Sequence, residues 1–169
     1  MHWFGLVIVT IVVAAAQTSI SPLLTIKGVG PSFLLVAAVF YGFRWPVWEA
    51  GIAGWALGLA GDLTSAGPIG AHSLSFAAAA MIASRLGSVL TADRAVVQIV
   101  ATGVLGWLSY SLIFLHGAWR GGWAAWSPGV SLERAAWVAG YTAVLSPYLF
   151  WLLARGVPLL SLQPHERRR

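Results

Sequence analysis

The acidic and histidine side chains are the groups in this sequence that could carry out chemistry. The acids are Glu49, Asp62, Asp93, Glu133 and Glu166, and no two of them are spaced to share one helix face as a catalytic pair. The four histidines are scattered, and no HExxH, P-loop or G-x-S-x-G motif is present. Cysteine is absent, which removes disulfides, thiolate nucleophiles and cysteine-ligated metal sites. The sequence therefore predicts no enzyme, no metal site and no cofactor.

Asp62 needs the most explanation among these groups, because it ends an apolar run and precedes a turn. His72 follows across that turn, so the two side chains can meet at the membrane rim as a proton or ion site. Alternatively, the Asp62 carboxylate caps the next helix or bonds to backbone amides of the turn. We favour the structural role.

A stripe of glycines lies directly before Asp62. Gly51, Gly54, Gly58 and Gly61 recur at spacings of three, four and three residues, so on a helix they share one face without side chains. Such a face lets a second helix approach backbone to backbone. It can pack against another helix of the same chain, which we favour, or receive a helix from a partner protein.

The composition predicts a membrane protein. The chain has 169 residues, of which 59% are hydrophobic and 9% are charged, and its mean hydropathy is +0.80. We expect an all-α, polytopic helical bundle that forms a single membrane domain over residues 1–169. The predicted spans are residues 3–24, 29–43, 47–63, 71–90, 95–115 and 135–153.

The second and third predicted spans are short, which leaves the number of spans at six or five. Arg44, Trp45 and Pro46 separate the two runs, and Glu49 lies just beyond. One long bent helix would place Arg44 and Glu49 near the middle of the membrane, at a cost of about 2.5–3.5 kcal/mol each. We therefore expect two helices joined by a short turn.

The distribution of lysine and arginine predicts the orientation. With six spans and a cytoplasmic N-terminus, the inner side would hold Arg44, Arg85, Arg94, Arg155, Arg167, Arg168 and Arg169. The outer side would hold Lys27, Arg120 and Arg134. This excess agrees with the positive-inside rule. In the five-span and six-span arrangements alike, the turn after Asp62 and the predicted loop 116–134 face outward, and the tail 154–169 lies in the cytoplasm.

The residues after the glycine stripe carry a resemblance to a known family. The run from Gly54 through Gly58, Leu59, Gly61 and Asp62, followed by Pro68-Ile69-Gly70 and an apolar span, resembles the rod shape-determining protein MreD family. That family has a G-x-x-x-G-L-x-x-D run and then a Pro-hydrophobic-Gly turn. The matching positions are Gly54, Gly58, Leu59, Asp62, Pro68 and Gly70, and with Gly61 they form the candidate partner-binding or structural motif.

The resemblance implies a function without catalysis. A member of this family would be a subunit of the bacterial cell-elongation complex in the cytoplasmic membrane, and would scaffold or regulate lateral peptidoglycan synthesis. Its expected partner is MreC and, through MreC, a class B penicillin-binding protein, RodA and MreB. Membrane lipids would surround it, and no nucleic acid is expected.

The resemblance also implies a rival function. The family's fold is similar to that of the substrate-binding subunits of energy-coupling-factor transporters, so a subunit of a vitamin-type transporter is the alternative. Such a subunit would bind a small solute near Asp62, His72, His116 or Arg120. A structural subunit would instead offer an apolar groove to a partner helix.

Overall fold

The computed structural model describes residues 3–26, 28–65, 67, 69–90, 94–121 and 127–159. The described residues form six α-helices and one short 3-10 helix, which confirms the predicted all-α class. The α-helices are α1 (Trp3–Ser19), α2 (Phe33–Arg44), α3 (Val47–Thr64), α4 (Ala71–Leu86), α5 (Ala95–Gly121) and α6 (Pro128–Leu159), and the 3-10 helix is Ser21–Leu24.

Two helices, rather than one bent helix, occupy residues 33–64, as predicted. The break falls at Trp45, whose backbone is extended with φ −125° and ψ 155° because Pro46 follows it. The Ser84 hydroxyl of α4 donates a hydrogen bond of 2.6 Å to the carbonyl oxygen of Trp45. This bond satisfies a backbone group that the helix break leaves without a helical partner.

Helix α2 is the centre of the bundle. Every residue from Phe33 to Gly42 is buried, and all the other α-helices pack around it. Its 12 residues extend over about 18 Å, well short of a ~30 Å hydrocarbon core. A helix enclosed by protein on all sides need not match the bilayer, which explains why the apolar run over residues 29–43 is short.

The surrounding helices expose large apolar side chains on their outer faces. Examples are Ile11 on α1, Trp107 and Leu108 on α5, and Val144 and Trp151 on α6. Helices α5 and α6 are long and apolar enough to cross a membrane, whereas α1 and α2 are shorter apolar helices. These features are typical of a membrane bundle; the assignment of all six helices as spans stays a prediction.

The last two helices extend beyond the predicted limits. Helix α5 continues to Gly121 and α6 begins at Pro128, so most of the described part of the predicted loop 116–134 is helical. The prediction relied on polarity, but proline fits the first turn of a helix and Ser127 precedes it, as at many helix starts. Helix α6 also continues to Leu159, into the predicted tail 154–169, and the three terminal arginines lie outside the described residues.

The helices alternate in direction, which separates two ends of the bundle. The end that contains Asp62, called here the Asp62 end, also contains residues 20–26 and 28–32 and the start of α6, since Arg134 contacts Gly28. The opposite end has Arg44, Arg85 and Arg155 near helix termini. The predicted orientation places that basic end in the cytoplasm.

Candidate functional site

The carboxylate of Asp62 caps helix α4. Gly70 occupies the N-cap position of α4 and has no side chain that could accept hydrogen bonds from the free backbone N–H groups of the first turn. Asp62 supplies the acceptors from α3. Its Oδ2 accepts from the backbone N–H of Gly70 at 2.9 Å and of Ser73 at 3.1 Å, and its Oδ1 accepts from that of His72 at 2.9 Å.

Two side chains complete this cap. The Ser73 hydroxyl donates to Oδ2 at 2.5 Å, and His72 Nδ1 lies 3.0 Å from Oδ1. Asp62 is only 2% exposed, so these donors replace its hydration shell, and the positive end of the α4 dipole stabilises its charge. Asp62 therefore has the geometry of a helix cap, and the His72 ring is part of that cap.

Gly70 is required by the turn that leads into this cap. Its φ of 102° lies in the left-handed region, where a side chain adds strain. This conformation directs the Gly70 N–H to Asp62 Oδ2. Pro68, the other turn residue of the motif, lies outside the described residues.

The glycine stripe of α3 packs against α4 of the same chain. A Cβ built at Gly54 would lie 2.8 Å from Ala80 Cβ, and one at Gly58 would lie 2.5 Å from Ser73 Cα. At Gly51 and Gly61 the nearest atoms, from Met81 and His72, are 3.1 and 3.4 Å away. Larger side chains at Gly54 or Gly58 would therefore separate the two helices. Leu59 of α3 is half-buried.

Sequence reasoning missed Gly42, which extends the same close packing to α2. A Cβ built there would lie 2.6 Å from Ala83 Cβ and 2.6 Å from the carbonyl oxygen of Ala80. An isolated glycine within an aromatic helical run was the available signal. Helix α4 is thus held against two helices through glycine positions.

A second polar cluster caps α2 at the Asp62 end. Gln17 of α1 accepts from the backbone N–H of Phe33 at 2.7 Å and donates to the carbonyl of Pro31 at 3.1 Å. Thr142 of α6 accepts from the N–H of Ser32 at 3.0 Å. Gln17 was visible as a polar residue in an apolar run, whereas nothing in the sequence pointed to Thr142.

The residues named for the transporter alternative do not converge on one pocket. A polar cleft of about 750 Å³ opens at the Asp62 end, and its lining includes His72, Tyr110 and Arg134. His116 lies instead in an apolar cavity of about 560 Å³ with Trp119, and Arg120 lies exposed near the end of α5. Asp62 and His72 do lie together, but their side chains are within hydrogen-bond distance of each other in the α4 cap rather than directed at a solute.

The described residues contain no group of three or more histidine or acidic side chains that could hold a metal ion. Asp62 and His72 lie within ion-pair distance of each other, with His72 Nδ1 3.0 Å from Asp62 Oδ1. Because this carboxylate already accepts hydrogen bonds from four other donor groups, the pair has a structural geometry rather than that of an accessible base.

Comparison with known families gives one match. The model of the family described as rod shape-determining protein MreD matches residues 1–154. No curated protein and no solved structure matches the chain significantly. The match extends from α1 to Ala154 within α6, and so covers far more than the short motif around Asp62.

Proposed function

Because the chain belongs to the MreD family of rod shape-determining proteins, we propose that it is a non-enzymatic membrane subunit of the bacterial cell-elongation complex. It scaffolds or regulates lateral peptidoglycan synthesis by binding MreC. Through MreC it acts with a class B penicillin-binding protein, RodA and MreB. The single observation that carries the proposal is the family match over residues 1–154.

The arrangement of polar groups supports a structural role. Asp62, a buried acid, takes part in capping α4, and Gln17 and Thr142 take part in capping α2. Asp62 and Thr142 are buried, and Gln17, which borders the polar cleft, has its amide hydrogen-bonded to the backbone at the start of α2, so all three groups stabilise helix starts. Their function is to hold six helices in one arrangement that a partner can recognise.

We place the protein in the cytoplasmic membrane as a six-span subunit with its C-terminus in the cytoplasm. The apolar outer faces and the length of α5 and α6 support membrane insertion. The arginines at the basic end support the orientation. The resemblance to the substrate-binding subunits of energy-coupling-factor transporters is a proposal about the fold only. The polar cleft at the Asp62 end does not by itself indicate which solute a transporter subunit would bind.

Co-purification tests the proposal. The tagged protein is extracted from its host in a mild detergent, and the membrane proteins that accompany it are identified. We expect MreC together with wall-synthesis enzymes. A tagged, unrelated six-helix membrane protein at the same expression level serves as the control. Recovery of transporter ATPase subunits and a coupling membrane protein, without MreC, would overturn the proposal.

A further inference from the structure

The polar cleft at the Asp62 end takes no part in the function proposed above. Its volume is about 750 Å³, which is within the size range of small-molecule sites. All six α-helices contribute to its lining, together with the 3-10 helix and the segment that precedes α2. The cleft is therefore built by the assembled bundle, and it differs from the apolar outer faces of the helices, which lipid can cover.

Hydroxyl groups along the cleft already donate their hydrogens to backbone carbonyls. Thr18 Oγ1 lies 3.1 Å from the carbonyl oxygen of Ala15, and Thr64 Oγ1 lies 2.9 Å from that of Ala60. The same arrangement holds at Ser21, Thr25 and Ser65. A carbonyl oxygen can only accept, so each hydroxyl is the donor, and only its lone pairs remain available to a ligand.

The His72 ring adds another acceptor. Its Nδ1 lies 3.0 Å from Asp62 Oδ1, and an ionised carboxylate only accepts, so Nδ1 carries the hydrogen. In the neutral ring Nε2 is then an acceptor. His72 and the five hydroxyl groups therefore give the cleft a set of acceptors, which a ligand must meet with hydrogen-bond donors.

The charges around the cleft favour a neutral ligand. The described lining residues include no acidic side chain, and the carboxylate of Asp62 is already bonded within the α4 cap. A cation in the cleft would therefore lie near the guanidinium of Arg134 without a counter-charge. An anion would face the lone pairs of the hydroxyl groups, and Arg134 is exposed and already donates to the carbonyl of Gly28 at 3.4 Å.

The inner part of the cleft is apolar. Leu34 and Phe76 also line it and are at most 2% exposed, so the cleft reaches the core of the bundle. The rings of Phe76 and Tyr110 lie edge-on to His72, with centroids 5.7 and 6.4 Å from that of His72. A ligand that fills the cleft must therefore combine hydrogen-bond donors with an apolar surface.

A sugar has this combination, because hydroxyl donors surround a ring whose C–H faces are apolar. Water supplies donors but gains nothing from the apolar inner part. An acyl chain leaves the acceptors without donors, and a phosphate headgroup brings further acceptors and a negative charge.

We propose that the cleft binds a neutral saccharide. Its hydroxyl groups donate to the lone pairs of Thr18, Thr64 and the neighbouring hydroxyls, and its C–H surface lies towards Phe76 and Tyr110. The proposal goes beyond the function proposed above and does not require MreC.

Saturation-transfer nuclear magnetic resonance tests the proposal on the full chain in lipid nanodiscs, with empty nanodiscs as the background. The probes are maltose and N,N′-diacetylchitobiose, which are neutral saccharides. Methylammonium and methyl phosphate are the cationic and anionic comparison probes. We expect saturable binding of at least one saccharide with a Kd on the order of 1 mM, and no saturable binding of either ion in that range.

The double variant Thr18→Val and Thr64→Val removes two acceptors with little change of shape. We expect the Kd for the saccharide to rise roughly tenfold. Both hydroxyls bond within their own helix, so the melting temperature should stay at the wild-type level; if it falls, the two single variants give the same test. Ser111→Ala is the matched control, because its hydroxyl donates to the carbonyl of Trp107 in the same way but does not line the cleft.

Arg134→Gln separates a neutral ligand from an anion. The variant removes the positive charge but keeps N–H donors. We expect the Kd for the saccharide to change by at most roughly threefold, because an exposed charge contributes little to the binding of a neutral molecule.

Each outcome supports or overturns the saccharide proposal. Weaker saccharide binding in the double valine variant, with binding kept in Ser111→Ala, supports it. The absence of saturable saccharide binding in the millimolar range overturns it, as does a double valine variant that binds like the wild type. Binding of methyl phosphate that Arg134→Gln abolishes would show an anion site and also overturns it. Recovery of MreC is measured separately, so this proposal and the proposed function can fail independently.

Discussion

Replacing Asp62 by alanine should destabilise the protein strongly. The carboxylate accepts three backbone N–H groups and the Ser73 hydroxyl, and also contacts the His72 ring. In Asp62→Ala these groups lose their acceptor at a site that is 2% exposed. Each buried donor left without a partner costs about 1–3 kcal/mol, but water can reach part of the α4 start and lowers the total cost. We therefore expect the free energy of unfolding to fall by about 3–5 kcal/mol.

Helix propensity alone predicts the opposite effect of Asp62→Ala, so the direction of the stability change distinguishes the two explanations. Alanine is the best helix former, so Asp62→Ala would stabilise α3 slightly if the carboxylate made no tertiary contribution. Asp62→Asn should lie between alanine and wild type, because one acceptor oxygen remains but the amide NH₂ faces backbone donors.

The assay is the melting temperature of the protein in lipid nanodiscs. We expect Asp62→Ala to melt roughly 10 °C below the wild type. The control is Glu133→Ala, since this exposed acid of α6 accepts a weak hydrogen bond of 3.5 Å from Trp137 Nε1 and lies away from the α4 cap. An Asp62→Ala protein that melts at or above the wild-type temperature would refute the capping argument.

The remaining predictions concern close packing, backbone conformation, a buried polar contact and the tail. Gly58→Leu should reduce the yield of folded protein severalfold in detergent size exclusion, because the backbone of His72 and Ser73 leaves no space; a monodisperse Gly58→Leu protein at wild-type yield would contradict this. Gly70→Ala should lower the free energy of unfolding by about 1 kcal/mol, because a side chain is strained at the φ of 102° that Gly70 adopts. The melting temperature in nanodiscs measures this loss, and an unchanged value would refute the strain argument. Gln17→Leu should cost about 1–3 kcal/mol in the same assay by leaving the Phe33 N–H without an acceptor, and a stabilised variant would count against it. Alanine at Arg167, Arg168 and Arg169 should change cell-shape complementation less than Gly58→Leu does, since charges in a tail that the sequence predicts to lie in the cytoplasm contribute little; equal defects would contradict this ranking.

The sequence was sufficient for features that depend on local composition. A helix break at Trp45-Pro46 follows from the proline, and a close-packed α3 follows from glycines at helical spacing. The capping role favoured for Asp62 follows from an acid placed just before the turn that leads into a helix. Helix limits were less accurate, since polarity marked where lipid ends while α5 and α6 continue to Gly121 and Leu159.

Pairings between distant residues were beyond sequence reasoning. Thr142 lies 110 residues from Ser32, and no local pattern indicates that it caps α2. Gly42 meets α4 only because α2 and α4 pack side by side. The role of Gly54, Gly58, Leu59, Gly61, Asp62, Pro68 and Gly70 in partner binding stays a prediction.

The sequence by itself determined the local features of this protein: apolar helices, a glycine-lined α3 and an acid at the end of that helix. These features follow from residue type and spacing along one segment. Only the tertiary structure decided that α2 is enclosed while α6 keeps an open face. Burial depends on which helices surround a segment, and equally apolar sequences can face protein or lipid. The apolar cavity of about 540 Å³ between α1 and α6 forms for the same reason, because α1, α2 and α6 all contribute to its lining.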